Sequence, residues 1–397
     1  MDLQIFEKQL YSLVIFHSLI QQPLFKKLFA CLKSKDERMF IQTYSDFCAY
    51  IFSKGGNLSD IVYDLVINDE NFYVLKKGGK EEVSVHMENS LERELEILQK
   101  VHDLASKDII NFFCPSIELA AWDTTKRSLN EEYKQRIQEL CKKGYGIFAR
   151  YHMFGLDENG SLFPIQHPDP QHLSNMTGYA RERDLLLKNT LAFLQGLKAN
   201  NALLYGDAGT GKSSTIKAIV NDYYQDGLRL VEVKKSQINC LPSLIEALAE
   251  NPLKFILFID DLSFKTGEDD FIALKNILEG GSVAANHNVV VYATSNRRHL
   301  VKESFSDREG SEIHRNDSIQ ETASLAARFG LTITFAKPAK DLYLEIVKSY
   351  AEQYDLQLDE QQLFIKAEAF ALRNNGRSPR TARQFAEHEK ILETVKD

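Results

Sequence analysis

Residues 201–215 read NALLYGDAGTGKSST, and no other stretch restricts the fold of this chain as tightly. An apolar run at 202–205 has the pattern of a strand. It leads into Gly206, Asp207, Ala208, Gly209, Thr210, Gly211, Lys212 and Ser213, and helix-compatible residues follow from Ser214. GxxxxGK[ST] between a strand and a helix is the Walker A phosphate loop. Its glycines let the backbone turn tightly, so that successive N–H groups and the helix N-terminus point at polyphosphate oxygens. Lys212 then reaches the β- and γ-phosphates, and Ser213 supplies a hydroxyl to Mg²⁺. In the empty loop Lys212 is expected to be exposed. A glycine-rich turn that merely precedes a helix is the alternative, and the strand-loop-helix setting argues against it.

The chain has 397 residues, enough for two to three domains, and an ordinary globular composition. A net charge of −8 argues against a surface given over wholly to nucleic acid or an anionic membrane; nucleic acid is neither excluded nor indicated. Cys31, Cys48, Cys114, Cys141 and Cys240 lack CxxC spacing and a histidine cluster, so they read as reduced thiols of a cytoplasmic protein. The first residues lack a basic signal-peptide region, and no apolar run is long enough to span a membrane. The best candidate, 10–25, reads as a core helix stopping near Pro23.

Residues 1–143 read as a mainly helical domain for recognition or assembly. Leu3, Phe6, Leu10 and Leu13 share one face; Leu91, Leu95 and Leu98 repeat the pattern after an N-cap at Ser90. Segments 53–57 and 76–80 read as exposed turns. Residues 144–177 form a hairpin and linker: runs 147–156 and 161–166 flank an Asn-Gly turn, and Pro168 with Pro170 marks a domain boundary. Tyr179 then stands either against an adenine ring or in the packing of the linker onto the core. From 178 to 337 strand and helix signals alternate, the mark of a parallel sheet wrapped by helices. Residues 338–397 read as a helical lid, with Asp359 capping one helix, Gly376 after its end, and Ser378 with Pro379 opening the last.

Residues 254–261, KFILFIDD, form a buried-type strand ending in two carboxylates, a Walker B motif. Asp260 is expected in the Mg²⁺ shell, and Asp261 is expected to polarise the attacking water. Residues 289–296, VVVYATSN, end a further strand in Asn296, whose amide can bond both a water and a phosphate oxygen. Arg328 precedes the last strand and Arg380 lies in the first turn of the last helix, each with the planar fork that suits phosphate.

With these motifs in order, the chain resembles the AAA+ ATPases from about Gly178 onward. It is most similar to the bacterial AAA-type family called domain of unknown function 815, through the phrases ANNALLYGDAGTGKSS, FIDDLSF, ATSNRRHL and RFGL. The resemblance implies a P-loop α/β fold with a C-terminal lid, ATP and Mg²⁺ as ligands, and a homo-oligomer, such as a ring, acting on a protein client. It implies Asn296 as sensor 1, Arg328 as a finger offered to a neighbouring subunit, and Arg380 as sensor 2, with Arg383 its rival. Most members have glutamate where Asp261 stands, so hydrolysis is expected to be slow. A nucleotide switch that does not hydrolyse and a DNA-associated loader are the alternatives, and a small-molecule kinase fits least. The charged segment 297–322 reads as a solvated loop, with a partner-contacting loop as its rival.

Overall fold

The computed structural model describes residues 3–265, 269–278, 287–296, 301–302 and 327–395. Most of the charged segment 297–322, and residues 324–326 ahead of Arg328, lie outside the described residues. The chain forms two compact units, Met1–Arg150 with Glu250–Pro252, and Tyr151–Ala249 with Leu253–Asp397.

The first unit is helical among its described residues. Asp36, Asn57, Asn71, Ser84 and Ser128 each cap a helix by accepting a first-turn N–H, satisfying a donor that the helix itself leaves unbonded. Its core gathers rings around Tyr133 and Trp122, whose indole N–H donates to the Leu104 carbonyl at 2.9 Å. Three details differ from the sequence reading. Residues 10–25 are not one helix: after Leu3–Tyr11 a short 3₁₀ helix, His17–Gln21, does stop before Pro23, and Pro23 itself opens the helix Pro23–Leu32, where the first position has no intrahelical use for the missing N–H. The helix Val85–His102 is capped by Ser84, not Ser90: its first turn is polar, so the apolar period starts after the helix does. Segment 76–80 is largely the end of the helix Phe72–Gly78, and Gly78 is buried against Tyr145 and Pro252.

Glu94 is fully buried, and its carboxylate accepts the N–H groups of Val14, Ile15 and Phe16 at 3.0, 2.9 and 3.1 Å. Truncation would strand three donors, each lost bond costing about 1–3 kcal/mol. Glu94→Ala is therefore expected to destabilise this unit by about 3 kcal/mol or more, and Glu94→Gln by less. Trp122, the chain's one tryptophan, reports on this unit in a urea titration; an unchanged midpoint for Glu94→Ala would contradict the assignment.

Among the described residues the main sheet of the second unit has seven strands: β1 (Met153–Leu156), β2 (Leu162–Pro164), β3 (Ala202–Gly206), β4 (Leu228–Val233), β5 (Lys254–Ile259), β6 (Val289–Ser295) and β7 (Leu331–Phe335). Their order is β2-β1-β4-β5-β6-β3-β7, parallel throughout except for the β1/β2 hairpin. β6 is buried along its whole length and β5 from Phe255 onward, as their unbroken apolar sequences require. This is the α/β class expected. The hairpin, however, is narrower than the runs that suggested it, since Ile147–Arg150 is helical. It also joins the sheet edge, with Phe154 in register with Val231. The units divide between Arg150 and Tyr151, upstream of the proline-bearing segment. That segment lies along the helix Lys212–Tyr223, where the Asn221 amide donates to the Asp169 and Gln171 carbonyls at 2.8 and 2.7 Å.

Behind β7 come the helices Lys340–Gln353, Glu360–Arg373 and Pro379–Thr394. Asp359 caps the second by accepting from Gln361 and Gln362, and Ser378 caps the third by accepting from Thr381. No helix among the described residues is long and apolar enough to cross a membrane.

Candidate functional site

β3 delivers the loop to the end of the sheet. Gly206 must be glycine there: a Cβ would lie 2.0 Å from the Phe335 carbonyl oxygen of neighbouring β7. Gly209 and Gly211 take φ of +78° and +92°, which turns the loop into the helix Lys212–Tyr223. Thr210 pins the turn by donating to the Asp207 carbonyl at 2.9 Å. The loop encloses one side of a cavity of about 380 Å³, lined by Ala208, Gly209, Thr210, Gly211, Lys212, Ser213 and Ser214. Gly206 and Asp207 stand behind these and do not line it.

Strand order assembles the rest. β6 lies between β3 and β5, so the residue at its end falls between the loop lysine and the paired carboxylates. Lys212 donates to the Asn296 Oδ1 at 3.1 Å, and the Asn296 amide donates to Asp261 Oδ1 at 2.7 Å. Lys212 also donates to the carbonyls of Gly206 and Asp207 at 2.9 and 2.7 Å, and is only 6% exposed. The expectation of an exposed lysine is therefore corrected: loop carbonyls and Asn296 solvate the ammonium from within. Burial pulls its pKa down, helped by Arg380, while Asp207, Asp260 and Asp261 oppose the shift.

Asp260 Oδ1 accepts from Ser213 Oγ at 2.7 Å, from the Asp261 N–H at 3.1 Å, and from the Thr294 hydroxyl. Thr294 in turn accepts from the Asp261 N–H at 3.0 Å. Asp261 has φ +51°, a turn off the strand that brings its carboxylate to Asn296. Thr294 thus holds both acidic residues, a role the sequence showed only as a small polar residue at a strand end.

Tyr179 takes the packing place, with one edge on the cavity. It lines the cavity, yet it is 9% exposed, packs on Phe335 and donates to the Ala336 carbonyl at 2.7 Å. Burial, then Glu182 and Asp207, push its phenol up to about 12. Arg183, Met176 and Tyr350 complete that wall and were missed, because nothing in their spacing sets them apart. Arg183 donates to the Met176 carbonyl at 2.7 Å. From the lid, Arg380 and Arg383 both line the cavity. Arg380 also places its backbone N–H 3.2 Å from the Gly209 carbonyl, whereas Arg383 is engaged with Glu387 at 2.9 Å. Arg328 is not brought to this cavity. It borders another, with Asn201, Val289 and Gly330, at the end of the sheet where β3, β6 and β7 begin.

A phosphate loop on a parallel strand one in from the sheet edge, with the asparagine strand between it and the acidic strand and a helical lid after the last, is the AAA+ type of P-loop α/β fold, and this chain has it. Residues 149–391 match the family described as "Protein of unknown function (DUF815)", and the chain belongs to that family. The replication factor C large subunit of Methanococcus vannielii is 24% identical over 114 residues, 28% of this chain and 23% of the relative's length. The chain thus spans about a quarter of that relative. Among solved structures, the Thermotoga maritima RuvB Holliday junction branch migration motor aligns with a TM-score of 0.40 at 17% identity, covering 57% of this chain and 67% of the motor. A single-site mutant of that motor gives 0.40 at 18% over the same shares.

Proposed function

We propose that this chain binds Mg²⁺·ATP at the phosphate loop and hydrolyses it, as a cytoplasmic homo-oligomer acting on a protein client. What carries the reading is Asn296, held by hydrogen bonds between the loop lysine and Asp261. An amide so placed can exchange one bond for a phosphate oxygen and the other for a water, joining phosphate recognition to water activation. Asp261, at hydrogen-bonding distance from that amide, takes the proton of the attacking water. Lys212 trades its loop carbonyls for β- and γ-phosphate oxygens, and Arg380 covers the phosphates from the lid.

The residues fit the metal as well. The Ser213 hydroxyl and Asp260 carboxylate form an adjacent oxygen pair facing the cavity, the donor type that a hard cation takes. These two residues would hold Mg²⁺, which when bound would neutralise phosphate charge. The helical first unit is assigned to recognition of the client, and Arg328 to a neighbouring subunit's site.

A second reading, a nucleotide switch without turnover, is favoured by aspartate at 261, one methylene shorter than the glutamate usual at that place. Phosphate release separates the two.

Calorimetric titration with Mg²⁺·ATP tests binding. Lys212→Ala is expected to weaken affinity at least about thirty-fold, since charge-assisted hydrogen bonds contribute roughly 2–3 kcal/mol. An unchanged dissociation constant would remove the loop from the reading.

A further inference from the structure

Asp207 places a carboxylate inside a loop built to receive an anion, yet it does not line the cavity. Its Oδ2 instead accepts the N–H of Lys337 at 3.0 Å. Lys337 and Pro338 connect β7 to the first lid helix, so the bond joins the loop to the junction on which the lid is hung. Neighbouring contacts run the same way. Gly206 lies against Phe335, the last residue of β7, and the Lys337 ammonium reaches within 2.5 Å of where a Cβ on Gly376 of the lid would sit. The Gly209 carbonyl accepts the Arg380 N–H at 3.2 Å, and Ser378 packs on the same glycine. The loop is therefore touched by the sheet's end, by the junction and by the last lid helix. Of these ties, only that of Asp207 is made by a side chain of the loop, and so a substitution can remove it alone.

We propose that Asp207 is a positioning residue that fastens the phosphate loop to the core–lid junction, and that its negative charge holds nucleotide affinity down. The second half rests on the nucleotide reading above. The first does not, because it stands on the hydrogen bond to the Lys337 N–H. Charge acts over the screening length of about 8–10 Å at moderate salt, so a carboxylate at the head of the loop repels a polyphosphate even when turned away from it. The same charge acts on Lys212.

Two variants separate the halves. Asp207→Asn keeps a carbonyl oxygen for the Lys337 N–H and removes the charge, whereas Asp207→Ala removes both. Asp207 is exposed, so both variants are expected to fold. Spin labels on Lys188 of the core and Leu372 of the lid, both well exposed, read lid position in the nucleotide-free protein after Cys114, Cys141 and Cys240 are replaced by serine. Wild type and Asp207→Asn should give the same narrow distance distribution, and Asp207→Ala a broader or shifted one. A wild-type distribution for Asp207→Ala would overturn the tie. In a Mg²⁺·ATP titration at low salt both variants should bind about three-fold or more tightly than wild type, with the difference shrinking as salt rises. Affinities equal to or below wild type would overturn the charge effect. Absence of ATP binding by every protein, wild type included, would defeat the nucleotide reading, while the distance measurement would still decide the tie.

Discussion

Arg328→Ala is expected to bind ATP within about two-fold of wild type and to release phosphate about 10³-fold more slowly, the scale of an arginine finger's contribution. Arg328 borders the residues that begin β3, β6 and β7, while the phosphate loop follows the end of β3. Five residues of strand span roughly 16 Å, more than an arginine side chain can bridge. Under the proposed assignment, the effect on hydrolysis is exerted on another copy's site. Mixing provides the sharper form of the test. Arg328→Ala and Asp261→Asn should each be slow alone, whereas an assembly of both pairs an intact Asp261 site with an intact Arg328 donor. Recovered activity is the expected result. No recovery in demonstrably mixed oligomers, or a specific activity unchanged on dilution to monomers, would contradict the assignment.

Asp261→Asn should retain ATP affinity and lose about 10² or more in turnover, the usual scale for removing a positioned base. Asp260→Asn should behave differently. Its oxygen is shared by Ser213, Thr294 and the Asp261 N–H, so the change should raise the Mg²⁺ concentration needed for half-maximal activity. A magnesium titration of phosphate release for the two variants checks this. Wild-type turnover in both would mean that neither carboxylate has its assigned role.

The sequence carried what is local. Gly206 to Ser213, the apolar strand before Asp260, and the caps at Asp359 and Ser378 are set by neighbours a few residues away, and each stands where its pattern placed it. Other features depend on pairing between distant strands. In the sequence Asn296 is one amide at a strand end; β6 lying between β3 and β5 makes it the link between Lys212 and Asp261. The burial of Lys212 was not legible, because its partners are backbone carbonyls of a fold-specific turn. Thr294 was hidden for a related reason: its role requires β5 and β6 in parallel register, with Ile259 opposite Ala293. The β1/β2 hairpin was visible through its Asn-Gly turn, while its attachment to β4 was not. Residues 10–25 show the opposite error, an apolar run read as one helix where Pro23 opens a new one.

As proposed, this one cavity binds and hydrolyses ATP. Magnesium-dependent phosphate release by the purified full chain, measured beside Lys212→Ala and Asp261→Asn at the same protein concentration, tests it most directly. Release by wild type that needs Mg²⁺, saturates with ATP and falls steeply in both variants is the expected result; release that both variants match, or none from an assembled wild type that binds ATP, would contradict it.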